Sequence, residues 1–159
     1  MKELRLTKGK VALVDDDDFE HLASLRLLWC LNSNYAYNAS LGSLHRYLMK
    51  APKGVVVDHA DGNPLNCQRS NMRLATNAQN QQNLRRNRAG YTRFKGANWD
   101  RTRGWWIARI CIDGKRKYLG VFNTDKEAAH AYNEAAKQHF GEFAFLNDMT
   151  QPAGPNPPT

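Results

Sequence analysis

The side chains able to do chemistry fall into a few groups along this 159-residue chain. Asp58 and His59 lie side by side in the stretch VVVDHADGN, where three β-branched residues end. That places a carboxylate next to the side chain whose ordinary pKa lies nearest neutrality. A run of four aspartates, Asp15 to Asp18, invites a metal site. Consecutive side chains on a helix diverge, however, and no second ligand cluster is evident, so the run reads as the acidic start of a helix. Cys30, Cys67 and Cys111 are far apart and form no C-x-x-C pair, which argues against a zinc ribbon and a disulfide framework and leaves free thiols. The last group is a charge concentration. Residues 1–84 hold ten Lys/Arg against eight Asp/Glu, whereas Arg85 to Lys117 hold eleven against two, interleaved with Tyr91, Phe94, Trp99, Trp105 and Trp106. Basic and aromatic side chains in that mixture suit phosphates and base or sugar edges. A solvated basic surface is the plainer alternative. An anionic membrane fits poorly, because the apolar residues alternate at strand period.

The elements that must position these residues can be read from pattern and punctuation. In the first segment, KVALVD is a strand, DDDDFEHLASLRLL a helix, WCLNSNYAYNAS a hairpin and SLHRYLMKA a short helix ended by Pro52. Val55 to Val57 then form a strand that delivers Asp58 and His59 to its end, followed by an irregular Gly- and Asn-rich loop, a second strand MRLA, and a helix from TNAQN. Thr76 and Gln79 are spaced as a capping box. Laid against the first strand, such a helix brings Asn80 toward Asp58 and His59. In the third segment, FKGANW, WWIARICI and RKYLGVF are strands joined by DRTRG and DG, and Thr124 caps the helix DKEAAHAYNEAAKQHF. Alternation turns Trp106, Ala108 and Ile110 toward that helix and Trp105, Ile107 and Arg109 away from it. QQNLRRNRAGYT reads as a helix end and linker, and TQPAGPNPPT as a disordered Pro-rich tail.

The stretch VDHADGNPLNCQRSNMRLATNAQN resembles the ββα-metal unit of HNH homing endonucleases of the phage type, in the sub-group whose last ligand is asparagine. SLHRYLM resembles the segment that precedes the unit in phage members. The resemblance implies that His59 is a general base and that Asn71 braces the loop and orients it. It further implies that Asp58 and Asn80 hold one divalent cation, Mg²⁺ or Mn²⁺. Where many members carry an aspartate and an arginine or histidine, this loop has Asn66, Cys67 and Gln68. The third segment is similar to the AP2 DNA-binding domain of plant transcription factors, also found fused to HNH nucleases in phages. In that family the sheet lies in the major groove. The matching outward positions are Lys95, Asn98, Trp99, Arg101, Arg103, Trp105, Arg109, Arg116 and Tyr118, with Arg85, Arg86 and Arg88 placed to meet the backbone and Arg93 also expected to bind DNA.

Together these readings describe an α+β protein. Residues 1–90 form an HNH domain, with its ββα-metal unit at about 54–86, and residues 91–147 form an AP2-like three-stranded antiparallel sheet packed on one helix. The tail occupies 148–159. The function implied is a metal-dependent, site-directed DNA endonuclease of homing type. It nicks double-stranded DNA as a monomer, without a membrane, in the cytoplasm of an infected bacterial host. The alternative is a non-catalytic AP2-type transcriptional regulator. RNA binding rests on charge alone.

Overall fold

The structure, a computed structural model, describes residues 1–84 and 92–152. The chain divides into two compact units, Met1–Gln81 and Gln82–Thr159, and the architecture is α+β.

The first unit opens with strands β1 (Lys2–Arg5) and β2 (Val11–Val14), an antiparallel pair. Sequence reading missed β1, which is only four residues long and carries a single apolar residue, Leu4, among three charged ones. Helix α1 (Asp16–Ser24) follows. It stops earlier than its apolar pattern suggests, because Leu25 closes it and Arg26 turns into the left-handed region at φ 50°. Strands β3 (Cys30–Asn32), β4 (Tyr35–Asn38) and β5 (Gly42–Ser43) make a small antiparallel sheet leading into the short helix α2 (Leu44–Leu48). Strands β6 (Val56–His59) and β7 (Met72–Ala75) pair antiparallel, and α3 (Asn77–Asn83) completes the strand–loop–strand–helix unit. The Thr76–Gln79 capping box is present in both directions. The core gathers Leu4, Val14, Leu22, Trp29, Leu44, Leu48, Val57 and Cys67 from all these pieces.

The second unit is a three-stranded antiparallel sheet of β8 (Ala97–Asp100), β9 (Trp105–Ile112) and β10 (Lys115–Phe122), with β9 in the centre, and the helix α4 (Asp125–Phe140). Asp113 and Gly114 both take positive φ, 51° and 74°, the requirement of the tight turn that their sequence predicts. A capping box between Thr124 and Glu127 starts α4. Ala128, Ala129, Tyr132 and Ala136 are buried along the face of the helix toward the sheet. The approach is so close that a Cβ on Gly96, which has φ 86°, would stand 2.0 Å from the Tyr132 ring. That same glycine delays β8 to Ala97. Beyond α4 the chain returns to the core through Asn147. Its side chain accepts from Lys95 N and donates to Lys95 O, while Asn133 bonds both its backbone N and its O. Met149 packs against the cluster of Phe94, Trp106 and Ala128, so part of the segment expected to be disordered is core. Residues 153–159 lie outside the described residues.

The register corrects one orientation and one expectation of exposure. Trp99 pairs with Trp106, and both rings turn to the helix side, 5.3 Å apart, although Trp99 was expected to face outward. The reason is the start of β8: with Ala97 facing in, Trp99 must do so too. Ile107 keeps its outward direction yet is buried, because as a central-strand residue it is flanked by its register partners Asn98 and Val121.

Candidate active site

Asp58 and His59 end β6, where register sets them opposite Arg73 and Met72 of β7. Both are buried, at 4% and 6% exposure. A carboxylate so enclosed needs a counter-charge. Arg73 provides it, donating from Nε at 2.8 Å and Nη2 at 2.6 Å to the same oxygen, Oδ2. Burial holds the His59 imidazole below its usual pKa, against the opposing pull of the Asp61 and Asp58 charges.

A second histidine lies beside it. His45 on α2 meets His59 edge to face at 5.4 Å between ring centroids, and Tyr35 of β4 lies 4.8 Å from His45 and 6.3 Å from His59. Burial, then the His59 and Arg46 charges, push the pKa of His45 down to about 4. Its Nδ1 is buried and finds no hydrogen-bond partner among the described residues. Arg46, the next residue, grips the approach to β6 by donating to the carbonyls of Val55, Ala51 and Pro52. The short helix thereby fixes His45 and the entry of β6 together.

The loop between the strands is organised by Asn71 and Asp61. Asn71 Nδ2 donates to Asp61 Oδ1 and Asn66 O, its Oδ1 accepts from Asp61 N, and its backbone carbonyl receives the N–H of Ala60, the residue after His59. Burial raises the pKa of Asp61, but bonds from Asn63, Asn66 and Asn71 and the His59 charge more than offset this, leaving it lowered. On its far side the loop is clasped by β2: Leu13 N donates to Leu65 O, and Leu13 O accepts from Cys67 N. Cys67 is fully buried and its thiol is pushed up to about 12.

The aspartate run does not cap α1 through its own side chains. Asp15, at the N-cap, instead accepts from Arg69 N at 2.8 Å and Gln68 Nε2 at 3.4 Å. Asp18 takes a two-pronged Arg69 guanidinium at 2.8 and 2.7 Å, and Asp16 meets the terminal amine. The run docks the end of the loop. Asn80 sits in the first turn of α3, half-buried, its N–H bonded to Thr76 O. Asp58, His59 and Asn71 thus share one hairpin, and Asn80 follows on the helix that continues it.

Sequence reasoning missed Arg73, His45, Tyr35 and Asp61. The first carried a legible signal, an arginine opposite an aspartate once VVDH and MRLA are paired antiparallel. Among the described residues, no group of three or more His, Cys, Asp or Glu is arranged to hold a metal ion. The donor set expected of Asp58 and Asn80 is one carboxylate and one amide oxygen. It suits a hard divalent cation that keeps most of its water and completes its shell from a phosphate.

On the sheet of the second unit, Asn98, Trp105, Arg109, Arg116 and Tyr118 point away from α4, with Trp105 42% and Tyr118 61% exposed. Arg101 and Arg103 lie exposed in the β8–β9 turn, whose start is tied by Asp100 accepting from Thr102 N and Arg103 N. Arg93 is exposed ahead of β8. Lys95 departs from the expected outward set. Its ammonium donates to the carbonyls of Gln82 and Leu84 and lies over the Phe145 ring, and burial lowers its pKa to about 8. Arg85, Arg86 and Arg88 lie outside the described residues.

Residues 50–82 match the family described as HNH endonuclease. An HNH endonuclease of Acanthamoeba polyphaga mimivirus, named as uncharacterized, is 32% identical over 153 residues, spanning 89% of this chain and 77% of that protein. Protein 3.8 of Escherichia phage T7 is 32% identical over 93 residues, 58% of this chain and 76% of the relative. Dehydration-responsive element-binding protein 2E of Oryza sativa subsp. japonica is 51% identical over 49 residues, 30% of this chain and 15% of its own. No solved structure matches.

Proposed function

Since the chain belongs to the HNH endonuclease family, we propose that it is a site-directed DNA endonuclease of homing type whose first unit cuts and whose AP2-like second unit reads the duplex. The observation that carries this reading is the pairing of Asp58 and His59, both buried, at the end of one braced hairpin. His59 takes a proton from the attacking water. Its lowered pKa supports this role, because the imidazole is then neutral and able to accept near pH 7. Asn71 holds the loop through Asp61 and Asn66 and pins Ala60, which limits the positions open to His59. Asp58 and Asn80 would hold one Mg²⁺ or Mn²⁺ ion, which when bound supplies positive charge for the scissile phosphate and the leaving oxygen. On the second unit, Trp105, Arg109, Arg116 and Tyr118 face the major groove, and Arg93, Arg101 and Arg103 contact phosphates.

One active site per chain fits a monomer that nicks one strand, leaving 5′-phosphate and 3′-hydroxyl ends. The viral relatives fit action within an infected host cell. The test is incubation of supercoiled plasmid or phage DNA with Mg²⁺ and mapping of the ends. His59→Ala should lower cleavage by about 10²-fold or more while DNA affinity stays within a few-fold. Near-normal cleavage by this variant would remove His59 as the base. Retained DNA binding with no metal-dependent cleavage by the wild type would favour a regulator.

A further inference from the structure

Arg73 and Asp58 face each other across β6 and β7, and two guanidinium donors converge on one carboxylate oxygen. The carboxylate is 5% exposed and the arginine side chain 18%, so the pair is shielded while the arginine side chain keeps a small part exposed. Under the reading given above, this same carboxylate is the only anionic ligand for the cation. Arg73 then acts on metal binding in two opposed ways. By fixing the rotamer of Asp58 it presents a ready-made ligand, which favours the cation. It also neutralises that ligand and places a full positive charge beside the position of a divalent ion.

Magnitudes decide between the two effects. Orientation recovers the freedom of one short side chain. The repulsion is that of a double charge against a single one at close range in a site largely shielded from water, where Coulomb terms are several times stronger than in bulk. Repulsion therefore outweighs orientation. We infer that Arg73 is a positioning residue that serves as the resident counter-ion of Asp58, opposes cation loading in the DNA-free protein, and exchanges the carboxylate for a DNA phosphate when substrate arrives. A guanidinium makes the same forked pair with either partner, so the exchange keeps its donors satisfied. Cation and DNA then bind cooperatively, each removing the obstacle to the other. The inference rests on Asp58 being a cation ligand.

The test is calorimetric titration of Mn²⁺ into the full-length, DNA-free protein as wild type, Arg73→Gln, Arg73→Lys and Asp58→Asn. Arg73→Gln should bind Mn²⁺ at least tenfold more tightly than wild type, and equal or weaker binding overturns the inference. Arg73→Lys decides the matter if the neutral variant does not fold. It keeps the charge and loses the fork, so affinity within a few-fold of wild type supports the charge effect, whereas a tenfold loss means that orientation dominates and overturns it. Asp58→Asn separates this inference from the reading beneath it. If that substitution leaves Mn²⁺ affinity unchanged, Asp58 is not a ligand and the reading fails with the inference. If it abolishes binding while Arg73→Gln changes nothing, only the inference fails.

Discussion

At the scale of single residues, the candidate centre is dominated by burial. Asp58, His59 and His45 are each less than a tenth exposed, and each must be held in a state that its surroundings tolerate. For His45 that state is neutral, and the cost of charging it is a pH-dependent stability. Its pKa is lowered from 6.5 to about 4, so between those values the unfolded chain binds a proton that the folded chain refuses. Stability should fall as pH drops from 6.5 toward 4 and level off below, by up to about 3 kcal/mol from this group. His45→Phe should flatten the slope in that window, as followed by chemical denaturation at a series of pH values. An unchanged slope would show that other groups set it. The groups facing His45 are His59, Arg46 and Tyr35. None of this was legible in the sequence. The stretch SLHRYLM shows a histidine on a short helix, but that its ring meets His59 depends on how α2 packs against β4 and β6.

At the scale of elements, the sequence was legible wherever a local rule decides the outcome. The two capping boxes, the Asp113–Gly114 turn and the period-2 alternation of β9 are each written in a few neighbouring residues. Asp58, His59 and Asn71 could be placed because the β6–loop–β7 hairpin is one continuous unit. What could not be read depends on partners distant in sequence: the docking of Asp15 and Asp18 on the Gln68–Arg69 segment, the inward turn of Trp99, and the recruitment of Lys95 by carbonyls. The Asn133–Asn147 lock belongs with these. It lies beyond the helix in a stretch with no periodicity, yet its hydrogen bonds tie the end of the unit to α4 and to the strand entry. Asn147→Ala removes both side-chain bonds to the Lys95 backbone and one of the two donors to Asn133 Oδ1, while the bonds of Asn133 to the backbone of residue 147 remain. A loss of about 2–4 kcal/mol is expected in the second unit, measured by denaturant unfolding with its tryptophans as probes. A loss under about 0.5 kcal/mol would mean that water replaces those bonds.

At the scale of the whole molecule, net charge is +8, and the excess lies from Arg85 to Lys117. Binding to DNA through that surface should release counterions, and each phosphate contact adds about 0.9 to the slope of log K against log salt. Arg101→Ala combined with Arg103→Ala, the exposed turn arginines assigned to phosphates, should lower the slope by about 2. An unchanged slope with altered sequence preference would place them on bases instead. The clasp of β2 on the loop has a consequence for synthesis. Leu13 leaves the ribosome more than fifty residues before Leu65 and Cys67, the groups that satisfy the outer edge of its strand. Until they emerge, β2 is covered on one side by β1 and presents an open edge on the other, the kind of edge that invites foreign strands. The run of aspartates that immediately follows, Asp15 to Asp18, places like charges beside that edge on every nascent copy, so two growing chains repel there while each awaits its own loop.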